Sequence, residues 1–235
     1  MKLRCGRRPV SLILLAGGKG RRMRADKALL PVPGGTLAGT ILAQVENLFD
    51  EVLVSVSRGQ AGAFPGRRTV VDEMEGRGPM AGVLAGLKAS RNEVCVALAC
   101  DIPEVDLRLL RSLLGSAVGR EIAVPVTAEG LLEPLFAVYT KGLIPRIESF
   151  LGAGEFSLLP LIAGARTAKV PMGRMVRLRN LNTPEDYDEY LRSLAGGSAT
   201  GRLSGKGRRT GTVQAPRTPA PRIKPRRRTR VRKAR

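Results

Sequence analysis

Residues 10–15 are almost wholly apolar, with no alternation, which predicts a strand covered on both faces of a sheet. A helix follows over 36–49, where Leu37, Ile41, Leu42, Val45 and Leu48 share one stripe. Residues 51–56 and 68–71 read as the next two strands. Residues 79–90 read as a helix whose small residues (Ala81, Gly82, Ala85, Gly86) let it lie close to a sheet or a ligand. A fourth strand, 94–99, ends at Cys100-Asp101. Beyond it the pattern predicts a helix over 106–114, strands over 122–126 and 132–139, helices over 142–151 and 157–163, and a short strand over 167–171. Thr183-Pro184-Glu185-Asp186 supplies a cap hydroxyl, a proline at the first helical position and acids in the first turn. The last helix is therefore expected to run to about Leu194 and to stop at Gly196-Gly197. Strands alternating with helices predict an α/β protein with a mostly parallel central sheet flanked by helices.

Composition narrows the chemistry. The chain has 235 residues and is 43% hydrophobic, enough to bury a core. It contains no histidine, which excludes Ser-His-Asp and Cys-His catalysis, imidazole proton transfer and histidine-bound zinc. Aromatic residues are 3% and tryptophan is absent, so stacking platforms for single-stranded nucleic acid are not expected. Cys5, Cys95 and Cys100 form no C-x-x-C pair, which fits a reducing cytoplasm, and Cys95 and Cys100 read as small buried hydrophobes. The apolar stretch after Arg7-Arg8 is short for a signal segment and runs into a loop without a small-residue cleavage site. No stretch approaches the ~18 apolar residues of a membrane span.

The net charge of +20 changes meaning once it is localised. Fourteen of the 40 basic residues lie beyond Gly196 with no acid among them, and four more lie within residues 2–8. The body between Pro9 and Ala195 keeps 22 bases against 20 acids and is almost neutral. Three parts follow: a basic lead-in over 1–9, a folded domain over 10–195, and an Arg/Pro-rich tail over 196–235 that is expected to be disordered. One reading makes the tail the working part, binding RNA, DNA or another polyanion through 198–235 with a steep salt dependence. Deleting 198–235 separates that role from any activity of the body.

The most informative segment follows the first strand: Ala16-Gly17-Gly18-Lys19-Gly20-Arg21-Arg22-Met23-Arg24-Ala25-Asp26-Lys27. Roughly twenty residues separate this strand from the next helix, long for a βα connection. Three glycines let the backbone approach a ligand and aim its N–H groups inward, and five cations stand against one acid. Such a loop suits a polyphosphate. It is neither G-x-x-x-x-G-K-[ST] nor G-x-G-x-x-G.

Leu15-Ala16-Gly17-Gly18-x-x-x-Arg22-Met23-x-x-Asp26-Lys27 resembles the signature loop of the small-molecule nucleotidyltransferases, and its Gly-Gly form resembles the molybdenum cofactor guanylyltransferases. The likeness continues through Gly78-Pro79-Met80-Ala81-Gly82, Ala99-Cys100-Asp101-Ile102-Pro103, Glu133-Pro134-Leu135 and Asn180-Leu181-Asn182-Thr183-Pro184, in family order. Arg24 departs from it, standing where the family usually has glycine. The resemblance implies a Rossmann-like sheet of the nucleotide-diphospho-sugar transferase type. It also implies transfer of GMP from GTP to molybdopterin with release of pyrophosphate, assisted by Mg²⁺, in the cytoplasm, with other cofactor-assembly proteins as candidate partners.

Residue by residue, the resemblance makes Asp101 the metal ligand and Arg22 and Lys27 the phosphate-binding cations. Leu15, Ala16, Gly17, Gly18, Ser55 and Asp72 become nucleotide contacts, with Gly78 and Gly82 flanking the base or the pterin. Asn182 stands where some sugar nucleotidyltransferases carry an aspartate, so the resemblance also offers its amide oxygen beside the metal; read without it, Asp101 serves equally as the cap of the turn before Pro103, and Asn182 as a turn asparagine. Asn180 to Thr183, Glu133-Pro134 and the loop after Val126 are candidate walls for the second substrate. The nearest alternative is a cytidylyltransferase for the same cofactor, a group that typically has alanine where Gly17 stands. The bare Gly17 would leave more room for a purine.

Overall fold

The computed structural model describes residues 1–17, 19–20, 25–74, 78–173 and 178–197. Its central sheet is built from β1 (Arg8–Leu15), β2 (Glu51–Ser57), β3 (Thr69–Asp72), β4 (Val94–Ala99), β5 (Ile122–Val126), β6 (Phe136–Thr140) and β7 (Thr167–Pro171). The order is β7-β5-β6-β4-β1-β2-β3, and Arg4–Cys5 adds a short antiparallel partner to β1. The lead-in therefore packs on the domain, with Leu3 and Cys5 buried in its core.

Strands β4, β1, β2 and β3 run parallel, as do β5 and β7, while β6 runs antiparallel to both β5 and β4. That reversal follows from the connection. Only nine residues separate Val126 from Phe136, too few for the crossover that a parallel neighbour needs. The strand expected at 132–139 begins instead at Phe136, after a turn in which Thr127 N–H donates to Leu131 O at 2.8 Å.

Among the described residues there are six α-helices: α1 (Leu37–Val45), α2 (Pro79–Ala89), α3 (Leu107–Ser116), α4 (Ile144–Gly152) and α5 (Leu158–Gly164), which cover the sheet, and α6 (Pro184–Gly197). Successive side chains of a strand point to opposite faces, and β1 obeys this rule. Val10, Leu12 and Leu14 join α1 and α3 in one core, whereas Ile13 and Leu15 join α2, α4 and α5 in the other. Gly196-Gly197, expected to end the last helix, lie inside α6. A third cluster of Val32, Leu37, Leu181 and Tyr190 fastens α6 beside α1. No helix among the described residues is long and apolar enough to cross a membrane.

The small residues of α2 do bring it close to the sheet. A Cβ added at Gly86 would lie 2.5–2.8 Å from three side-chain carbons of Ile13, which is fully buried. Alanine gains up to about 1 kcal/mol over glycine inside a helix, but overpacking a core costs about 1–3 kcal/mol. Gly86→Ala is therefore expected to lower stability by about 1 kcal/mol or more, read as an earlier midpoint in urea unfolding.

Candidate active site

Because β4, β1, β2 and β3 are adjacent and parallel, their C-terminal ends open on one margin of the sheet, the usual ligand margin of an open α/β fold. Leu15 pairs with Ser55 on one side and Ala99 on the other. The N–H groups of Ala16 and Gly17 both donate to the Ser55 carbonyl, at 2.8 and 2.9 Å, and Cys100 N–H donates to Leu15 O at 3.2 Å. Asp101 thus leaves β4 alongside the start of the glycine loop.

At the other end of that loop, Lys27 Nζ donates to Asp101 Oδ2 at 3.3 Å and to Asn182 Oδ1 at 2.9 Å. Lys27 opens a short 3-10 turn, Lys27–Leu29, capped by Asp26, whose Oδ1 accepts from Ala28 N–H at 3.2 Å. Asn182 is presented by the start of α6. The Asp186 carboxylate accepts from Asn182 and Thr183 N–H at 2.9 and 2.8 Å, and Thr183 Oγ1 accepts from Asp186 N–H at 3.2 Å. This reciprocal cap fixes the turn. Leu181 N–H donates to the Asp101 backbone carbonyl at 2.8 Å, so the turn is also tied to the end of β4. Asn180 lies one residue further back, half-buried; of the two asparagines, Asn182 is the one that meets Lys27 among the described contacts.

Glu133 closes the far side. Burial, and then the Asp101 carboxylate nearby, push its carboxyl above the ordinary carboxylate range. Ala99 N–H donates to Leu135 O at 2.8 Å, which holds the Glu133-Pro134 turn beside the end of β4. The donors around Lys27 are hard oxygens, the set that Mg²⁺ takes, typically one or two carboxylates completed by water and substrate phosphates. Among the described residues no group of three or more His, Cys, Asp or Glu side chains forms a ready cage. The residues thus fit a metal shared with a nucleotide.

Ser55 is buried on β2, and Gly82 of α2 faces it. A Cβ at Gly82 would lie 3.1 Å from Ser55 Oγ and 3.2 Å from Leu15 Cδ2. A Cβ at Gly78, where φ is +71°, would lie 3.3 Å from the Phe156 carbonyl. At both glycines a Cβ would press on the protein itself, whose neighbouring atoms would have to give by a few tenths of an ångström. The contact at Gly17 is tighter. A Cβ there would lie 2.8 Å from Ser57 N and 3.0 Å from the Val56 carbonyl carbon, so the backbone of β2 fills the room expected for a purine. Asp72 ends β3 on this margin, and its Oδ1 accepts from Met74 N–H at 2.9 Å. Gly18 and Arg22 lie outside the described residues. Cys95 and Cys100 are free and buried, and burial pushes their thiols up to about 12, away from the reactive thiolate form.

Gln60 also belongs to this margin, and sequence reasoning passed over it. It ends a short 3-10 turn, Arg58–Gln60, in which Ser57 and Gln60 form a capping box. Its signal was present as Ser57-x-x-Gln60.

The sequence model of the MobA-like NTP transferase domain matches residues 12–167. Over 183 residues the chain is 37% identical to a molybdenum cofactor guanylyltransferase of Pseudomonas putida F1, covering 76% of this chain and 96% of that one. It is 39% identical over 186 residues to the enzyme of the same name from Pseudomonas aeruginosa LESB58, covering 75% of this chain and 92% of that one. The crystal structure of molybdopterin-guanine dinucleotide biosynthesis protein A from Archaeoglobus fulgidus shares the fold, with a TM-score of 0.68 at 21% identity over 79% of this chain and 99% of that one.

Proposed function

The chain belongs to the MobA-like NTP transferase family, and from that premise we propose that it transfers GMP from GTP to the terminal phosphate of molybdopterin. The acceptor oxygen forms a bond to the α-phosphorus, and the bond from that phosphorus to the bridging oxygen breaks. Pyrophosphate leaves with the electron pair.

The acceptor phosphate is already ionised at neutral pH, so a chain without histidine loses nothing by lacking a base of that kind. The difficulty is to bring two anions together, which calls for positioning and charge neutralisation. The observation that carries the reading is the Lys27 ammonium held between Asp101 and Asn182 beside the glycine loop. Asp101, with Asn182 at its side, would hold Mg²⁺, which when bound supplies positive charge against the triphosphate. Lys27 would exchange its two oxygen partners for phosphate oxygens as the nucleotide enters. Arg22, with a planar fork, would grip two phosphate oxygens together.

Leu15 to Gly17 and Ser55 would line the nucleoside, and Asp72 would accept from the guanine N1–H and amine or from ribose. Glu133-Pro134 on the β6 side of Asp101, the Asn180–Thr183 turn and the loop after Val126 would wall the second substrate, the pterin. Buried, protonated cysteines suit a reducing cytoplasm.

The choice of GTP rests on the named relatives, since β2 occupies the space beside Gly17. Turnover with GTP, CTP and ATP, each with molybdopterin and Mg²⁺, is expected to favour GTP by at least about tenfold in kcat/KM, a difference of about 1.4 kcal/mol. Preferred use of CTP would make the protein a cytidylyltransferase of the same fold.

A further inference from the structure

Four groups meet the Gln60 amide at the end of β2. Ser57 N–H and the Ser57 hydroxyl donate to its Oε1 at 3.0 and 2.7 Å, which fixes the oxygen end. The nitrogen end donates to the Ala16 carbonyl at 3.2 Å and to Asp26 Oδ2. Ala16 is where the chain enters the glycine loop and Asp26 is where it leaves, immediately before Lys27. One side chain therefore ties both ends of the loop to one strand end.

Only an amide fits this place. The near end must accept from two donors, and the far end must donate to a carbonyl and a carboxylate. An ionised carboxyl cannot donate, and an ammonium or guanidinium cannot accept. Asp26 carries the constraint onward: its other oxygen caps the 3-10 turn through Ala28 N–H, so holding Asp26 sets where Lys27 starts relative to Asp101.

We propose that Gln60 is a positioning residue for nucleotidyl transfer, holding the entry and exit of the phosphate-binding loop at a fixed separation without touching substrate. This rests on the reading of the loop as the triphosphate site.

Gln60→Glu tests it with little change of shape. The variant keeps the acceptor for Ser57 and sets a carboxylate against Ala16 O and Asp26. KM for GTP should rise at least about tenfold, the scale of one lost charge-assisted hydrogen bond, with a smaller fall in kcat. Adding Asp26→Asn to Gln60→Glu reverses the donor and acceptor of the pair. The new amide nitrogen donates to the new carboxylate, and its oxygen keeps the Ala28 N–H. The double variant should therefore recover much of the loss, a coupling that independent sites do not show. Gln60→Met, which removes both ends of the amide without adding charge, should raise KM in the same direction.

A second readout does not depend on the reaction. Hydrogen exchange at Ala28 N–H should quicken in Gln60→Glu and slow again in the double variant. If the parent releases no pyrophosphate from GTP, the transfer reading fails, and exchange at Ala28 still reports whether Gln60 holds the loop exit. Parental KM and parental exchange in Gln60→Glu, or a double variant no better than the single one, would overturn the proposal.

Discussion

Asp101→Asn is expected to slow GMP transfer by at least about a hundredfold, a loss of about 2.7 kcal/mol of transition-state stabilisation. The exchange removes one negative charge and leaves shape nearly unchanged, so the effect isolates the carboxylate as a holder of metal charge. The fold should survive. The Leu181 N–H bonds the backbone carbonyl of residue 101, not its side chain, and Lys27 keeps Asn182 as a partner. Single-turnover rates beside urea unfolding of the same samples make the check. The Mg²⁺ concentration for half-maximal rate should also rise. Equal rates for variant and parent would remove Asp101 from the chemistry and leave it as the cap of its turn.

Lys27→Ala should lower kcat/KM for GTP about ten- to a hundredfold, because a hydrogen bond from a charged donor is worth about 1.5–3 kcal/mol. Both KM and kcat should move, since the ammonium meets the triphosphate in the ground state and in the transition state alike. The Mg²⁺ requirement separates this variant from Asp101→Asn: here the oxygen donors remain, so the half-saturating metal concentration should not rise. In the parent, the Lys27 side chain is only 15% exposed and Asp101 22%, so neither contact is a freely solvated surface pair. A Lys27→Ala enzyme with parental KM and kcat would mean that the contact serves only to hold the turn at Asn182.

Much of this architecture could be read from the chain before its structure. The strands at residues 10–15, 51–56 and 94–99 were legible because each is an unbroken or nearly unbroken apolar run, the mark of strands buried on both faces. The fit of α2 to β1 was legible in its small residues, of which Gly86 meets Ile13. The antiparallel β6 was less so. Glu133 and Pro134 precede it and break the apolar pattern, and its direction follows from the short link after Val126 rather than from its own pattern.

In the site, Asp101 and the glycine loop declared themselves by lying at strand ends. Local pattern says nothing of the meeting of Lys27 with Asn182, 155 positions apart, and the resemblance alone pointed to the asparagine. Gln60 escaped for the same reason. Its capping box with Ser57 is local, but its hold on Ala16 and Asp26 reaches back 44 and 34 positions. The room beside Gly17 misled in a further way. Sequence shows that a side chain is missing without showing which neighbour requires it, and here the neighbour is the backbone of β2.

The most direct test of the account is release of pyrophosphate from GTP, followed with and without molybdopterin in the presence of Mg²⁺. The account predicts release only when the acceptor is present, one pyrophosphate for each guanylylated cofactor. No release with the acceptor, or equal release without it, would contradict the joining of two phosphates at this sheet margin.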